Sequence, residues 1–439
     1  MGSEGGERVV LLLQGDDFDG LSAWFCWWLN EPEAEPETWF AFEDAAAALR
    51  RLDDALPTPR AGERMEAALG RAFDGALAHP ERERALMADL AGFLIPDFVI
   101  AQIRAHRLAG REVELRIMPP PSCVRVPWAL LVVGGEDEGE GGGEGVRGSR
   151  LGELVTVIDD VPAAFHVGRA RVAAEEPAGP LVAVIDPALD IPRMRLFTDD
   201  QRRSLAVPGA DEPGARMTAA RLSQQLRRTP PSGFVFVGHV AGDAGSTAMH
   251  LSPAEATPEL PSSAVAGLLT AADLVLGMSD SGGPTGAEIW PMPASVAIVA
   301  CNSGGDLGRR EPFGLVISCL NAGAQWALAT RWVLPTDSTF RWFAASRASR
   351  SGGGGAFRTS VAVGPGAAEP LAEVARAAIA AVTDGEGSSR ITAFLRERIR
   401  LWDAVSADVP PSERIALSPL TWGALAVFHA AERIVQPAP

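Results

Sequence analysis

Lysine and tyrosine are both missing from this chain, and arginine carries all 39 of its positive charges. Without lysine there is no Walker-A phosphate loop, no pyridoxal Schiff base and no kinase-type phosphate-binding lysine. Cysteine is scarce: Cys26, Cys123, Cys301 and Cys319 are the four, and none forms a C-x-x-C pair. In so long a chain that spacing predicts separate thiols in a reducing cytoplasm. The six histidines never form H-x-x-x-H, so neither a metal site nor a cofactor is expected. No apolar run reaches the roughly 18 residues of a membrane span. The start, Met1-Gly2-Ser3-Glu4, also lacks the basic beginning of a secretion signal. Basic charge is short overall, with 39 basic against 56 acidic side chains leaving −17 (39 − 56). That balance argues against nucleic acid or an anionic membrane as partner, because both need basic surface.

What is present is enough apolar residue, 47% of 439, to bury a sizeable core in two or three structural units. Arg8–Leu13 and Leu21–Leu29 read as apolar strand-like segments, the second rich in tryptophan. Between them Asp16-Asp17-Phe18-Asp19 is acidic, lacks an EF-hand frame and reads as a loop or helix start. From Asp44 to Leu108 the Ala/Leu/Arg/Glu spacing predicts helices broken near Pro57-Thr58-Pro59 and Pro96. Gly134 to Arg150 is Gly/Glu-rich with a single apolar residue, Val146, and reads as a solvated loop. Beyond it strands and helices alternate: strands at Leu151–Ile158, Leu181–Ile185, Phe234–Val237, Ser295–Ala300 and Ala324–Val333, helices at Thr218–Arg228, Phe313–Ala322, Leu371–Val382 and Ile391–Val405. That alternation is the pattern of an α/β fold with a mainly parallel sheet flanked by helices. A cut near residue 178 separates an N-terminal α/β region, 1–178, from a region 179–439 that carries the candidate chemistry.

Two of these apolar runs end in reactive side chains. Phe234-Val235-Phe236-Val237-Gly238 leads to His239, and Ser295-Val296-Ala297-Ile298-Val299-Ala300 leads to Cys301. In open α/β sheets chemistry gathers at the carboxyl ends of the strands. An imidazole there can take the proton of a thiol that otherwise titrates near ~8.5. The 62 positions between them (301 − 239) require adjacent strands rather than a local contact. Asn302-Ser303-Gly304-Gly305 is a small turn that lets a peptide carbonyl approach. The backbone N–H groups of Cys301 and Val240 are the candidate oxyanion donors. The plain alternative is a buried structural thiol and a capped core histidine. Asp280-Ser281-Gly282-Gly283-Pro284 matches the nucleophile stretch of trypsin-like serine proteases, but the all-β pattern around it is missing. A surface turn is the expectation there, with a serine hydrolase at Ser281 as the rival.

A wider series of segments resembles the CHAT family, the caspase-like, separase-related cysteine peptidases of the caspase–hemoglobinase clan. Val126-Pro127-Trp128-Ala129-Leu130-Leu131 is similar to the family's I-P-W-E-L-L. Val161-Pro162-Ala163-Ala164, Asp186-Pro187 and Val237-Gly238-His239 follow in the family's order. Val299-Ala300-Cys301-Asn302-Ser303-Gly304 is similar to L-S-A-C-N-S-G, and Leu320–Ala324 with Ala329–Val333 resembles the next strand. Asp337 stands at the family's usual offset, and Pro419–Leu425 looks like its closing P-x-x-W-A-x-F. One departure is plain: the family has Gly straight after the histidine, whereas this chain has Val240 and reaches Gly only at 242.

The resemblance implies a caspase-like fold with a degenerate, pseudo-caspase-like N-terminal half. It implies His239 as general base and Cys301 as nucleophile of a site-selective endopeptidase. Charged residues of the clan select the residue before the scissile bond. Asp243, Asp306 and Asp337 are candidates that would favour Arg or Lys, and Arg331 one that would favour an acidic side chain. The implied partners are a protein substrate encoded nearby, in a bacterial signalling or defence system, and a separate activating protein. Ordering of the 134–150 loop is the other route to control. The rival function is a catalytically inactive scaffold on the same fold.

Overall fold

The computed structural model describes residues 7–18, 21–31, 33, 35–41, 43–134, 148–161, 179–190, 194–242, 244–255, 257–305, 313–351, 369–406 and 408–430. Ten strands belong to one large, mixed, mostly parallel sheet with helices around it. They are β1 (Arg8–Phe18), β2 (Leu21–Trp28), β3 (Glu37–Ala41), β4 (Glu112–Met118), β5 (Thr156–Asp160), β6 (Val182–Ile185), β7 (Phe234–Val237), β8 (Ser295–Val299), β9 (Trp326–Thr330) and β10 (Leu425–His429). The expected α/β class is therefore present.

The chain divides into two compact units, one comprising Met1–Val157, Trp332–Val374 and Thr392–Leu425, the other Ile158–Arg331, Ala375–Ile391 and Ala426–Pro439. A single cut at residue 178 does not separate them. The reason is that later segments return to the first unit. Phe340 and Phe343 pack on Phe73 at ring distances of 5.2 and 4.4 Å, and the Trp332 indole donates to the Leu420 carbonyl.

In the first unit the strand order is β3-β2-β1-β4. The antiparallel hairpin β1–β2 closes at Phe18 opposite Leu21, so Asp16 and Asp17 lie in a strand rather than in a loop or helix start. Asp17 earns that place locally, because its carboxylate accepts from the Ser22 hydroxyl and from the Ser122 backbone N–H, both at 2.9 Å. Trp24 and Trp28 point into the core, with Trp24 packed edge-on to Trp128 at 5.7 Å. Between β3 and β4 run the expected helices, Glu43–Ala55, Met65–Asp74, Pro80–Leu94 and Asp97–Leu108. Proline opens the third, where its missing N–H costs nothing. Inside this unit Arg150, 1% exposed, grips the Glu83 carboxylate with two N–H groups at 2.8 and 2.9 Å and also pairs with Asp403. Glu83 further accepts the Trp402 indole N–H at 3.0 Å.

In the second unit the order is β5-β10-β9-β8-β7-β6, β5 and β10 lying there but for their first residues. The pairs β6–β7, β7–β8, β8–β9 and β10–β5 are parallel. β6, β7 and β8 are four- and five-residue apolar runs without alternation, as strands covered on both faces must be. Leu151–Leu154, expected as strand, forms one helical turn before β5. No single helix among the described residues is long and apolar enough to cross a membrane.

Candidate active site

The register of the second sheet segment decides what meets at its edge. Ile185 of β6 pairs with Val237 of β7, which pairs with Val299 of β8. The ladder continues one residue on, where the Gly238 N–H donates to the Val299 carbonyl at 3.3 Å. His239 and Cys301 each lie two positions beyond this row, just past the ends of neighbouring parallel strands. They therefore follow the carboxyl edge of this sheet segment. Both are half-buried, neither sealed in the core nor fully in solvent.

His239 is held by its far nitrogen. Its Nε2 lies 2.5 Å from the Met194 backbone carbonyl. A carbonyl only accepts, so Nε2 carries the proton and Nδ1 keeps the lone pair that a general base requires. A base oriented by a third group is the arrangement that activates a nucleophile. Just past the ring, Val240–Ala241 pairs antiparallel with Ala248–His250. The His250 N–H donates to the His239 carbonyl at 2.9 Å, so 239 and 250 form the hydrogen-bonded pair. The next pair, Val240 with Met249, is then the non-hydrogen-bonded kind. The Val240 N–H consequently points away from its partner strand. The His250 ring lies close by, and burial, with a smaller electrostatic contribution from His239, lowers its pKa.

Cys301 opens a tight turn. Asn302 adopts a left-handed φ of 53°, one of two non-glycine residues among those described with positive φ. The buried Ser303 hydroxyl donates to the Ile298 carbonyl at 2.7 Å and accepts the Thr330 N–H at 3.1 Å. The Gly304 N–H donates to the Thr330 carbonyl at 2.9 Å, and a Cβ there would stand 3.2 Å from Ala329. Cys301 is the only one of the four cysteines that is not buried. Burial pushes the Cys26 thiol up to about 11 and the Cys123 thiol up to about 12, which makes both poor nucleophiles.

The second left-handed residue, Asp186 (φ 48°), ends β6 beside this edge and is 2% exposed. Its carboxylate accepts the Leu196 N–H at 3.0 Å and Arg202 Nη1 at 3.1 Å. The sequence offered Asp186-Pro187 only as one of an ordered series of resembling segments. It offered no sign of Met194, because a backbone carbonyl has no side-chain signature, and none of His250.

The charged pocket candidates divide differently. Arg331 is 5% exposed and fastened two-pronged to Asp159, with Nη1 to Oδ1 at 2.8 Å, so its charge is answered inside the unit. Asp337 is fully buried, and its carboxylate accepts the N–H groups of Leu371 and Ala372 at 2.8 and 3.3 Å at the start of the helix Pro370–Thr383. Both readings as groups facing a substrate are corrected on that ground. Asp243 and Asp306 lie outside the described residues, as does most of the 134–150 loop. Ser281 is exposed in a short turn and donates to the Met278 carbonyl three residues back at 2.9 Å, the surface turn expected. No family model matches this chain, and no curated protein matches it either.

Proposed function

We propose that the chain is a site-selective cysteine endopeptidase of the caspase-like, CHAT type, working with a His239–Cys301 dyad. The observation that carries this reading is that each residue follows, by two positions, the last paired row of two neighbouring parallel strands. It is strengthened by the Met194 contact that leaves Nδ1 as the basic nitrogen. Nδ1 takes the Sγ proton, and the thiolate attacks the peptide carbonyl. Backbone N–H groups of Cys301 and Val240 hold the oxyanion. The imidazolium gives its proton to the leaving amine, and a thioester remains on Cys301. Water, deprotonated by the same imidazole, then hydrolyses that thioester and restores the thiol.

The substrate on this reading is a protein encoded nearby, control comes from a separate activating partner, and the reducing cytoplasm keeps Cys301 a thiol. A catalytically inactive scaffold is the second reading, favoured by Val240 in the position next to the histidine. Alkylation with a peptidyl chloromethyl ketone separates the two. The expected result is an adduct on Cys301 that disappears in His239→Ala. Labelling of Cys319 or Cys26 in its place, or none at all under activating conditions, would sink the peptidase.

A further inference from the structure

The carbonyl that fixes the His239 tautomer belongs to a segment that must itself be held. Leu196, two residues beyond Met194, gives its N–H to Asp186 Oδ1 at 3.0 Å. Arg195, between them, donates Nη1 to the Asp186 backbone carbonyl at 2.7 Å. Further on, Arg202 in the helix Asp199–Ser204 reaches Asp186 Oδ2 at 3.1 Å and the Phe197 carbonyl at 3.0 Å. Thr198 caps that helix, its hydroxyl accepting the Gln201 N–H. One buried carboxylate therefore ties down the segment 194–202 at its start and in its helix. Asp186 itself stays on the sheet, its N–H donating to the Val237 carbonyl at 2.7 Å.

The backbone of Asp186 is left-handed, a conformation that Asn and Asp tolerate better than other non-glycine residues. Glycine would adopt it freely but would supply no acceptor. Asparagine would adopt it and keep one acceptor, without the charge that Arg202 answers. Aspartate meets both needs. We infer that Asp186 is a positioning residue: by anchoring Met194–Arg202 it aims the Met194 carbonyl at His239 Nε2 and holds the imidazole with Nδ1 unprotonated. The catalytic consequence rests on the dyad reading; the tautomer does not.

Two readouts in the full-length protein test this. Long-range nitrogen–proton NMR of the imidazole reports which ring nitrogen carries the proton, and the pH profile of iodoacetamide alkylation reports the thiolate of Cys301. The wild type is expected in the Nε2–H form. Asp186→Gly, free of backbone strain, is expected to show mixed tautomers and to lower the alkylation rate at neutral pH by about tenfold or more. Its profile should move toward that of His239→Ala, with Asp186→Asn in between because it keeps the Leu196 bond. An Asp186→Gly protein with the wild-type tautomer and profile would overturn the inference. If Asp186→Gly fails to fold, Asp186→Asn decides by the same two readouts. A wild-type profile identical to that of His239→Ala would instead overturn the dyad, while the NMR comparison still decides the role of Asp186.

Discussion

At the scale of single residues, burial separates chemistry from architecture more sharply than residue type does. His239 and Cys301 stood out in the sequence because each follows an apolar run, and both are half-buried. Arg331 and Asp337 looked equally chemical in the sequence. Their partners, Asp159 and the N–H groups of Leu371 and Ala372, lie far along the chain, where no spacing rule can pair them. Asp337 makes a testable case. Burial pushes its carboxyl up to about 6, above the unfolded value of ~3.9. The folded protein thus holds this proton more tightly than the unfolded chain does. Its contribution favours folding below the unfolded value and is lost as pH rises through about 6. Asp337→Asn does not titrate there. The stability of the wild type relative to this variant should fall by about 2–3 kcal/mol between pH 4 and pH 7, as read from denaturant midpoints.

At the scale of elements, the strands of the second unit were readable because both faces are buried and the sequence shows unbroken apolar runs. The ribbon after His239 was not, since strands of two and three residues are too short to display a period. The helix Ala271–Leu276 opens on a Thr270–Asp273 capping box, a signal that the sequence carried. The turn after β8 depends on another short-range device. Ser303 joins β8 to β9 where their ladder ends, giving its proton to Ile298 and taking that of Thr330. Ser303→Ala leaves two buried backbone groups without that partner. It should cost about 1–3 kcal/mol in urea unfolding. It should also slow alkylation of Cys301, because the turn that presents the thiol loses its tie to β9. Unchanged alkylation alongside the stability loss would mean that the turn is held elsewhere.

At the scale of the whole molecule, the sequence suggested a single boundary near residue 178, yet the compact units are assembled from segments distant in the chain. Composition reports local solvation; it carries no record of which helix returns to which core. The Glu83–Arg150–Asp403 cluster shows what binds such segments within the first unit. Arg150 closes the Gly/Glu-rich stretch, Glu83 belongs to Pro80–Leu94, and Asp403 closes Gly387–Asp403. Burial pushes the Glu83 carboxyl upward and the Arg150 charge pulls it back, so the carboxylate depends on its partner. Arg150→Ala would leave that group buried without its guanidinium, a loss of about 3–5 kcal/mol. Replacing the pair together, Glu83→Leu with Arg150→Met, removes both charges and should cost far less. Equilibrium denaturation of the three proteins measures the difference. If the single and double variants lose the same stability, the ion pair is incidental and shape alone holds these segments. If the single variant is much the weaker, the late helix is fastened to the early one through charge, an interaction that neither segment announces by itself.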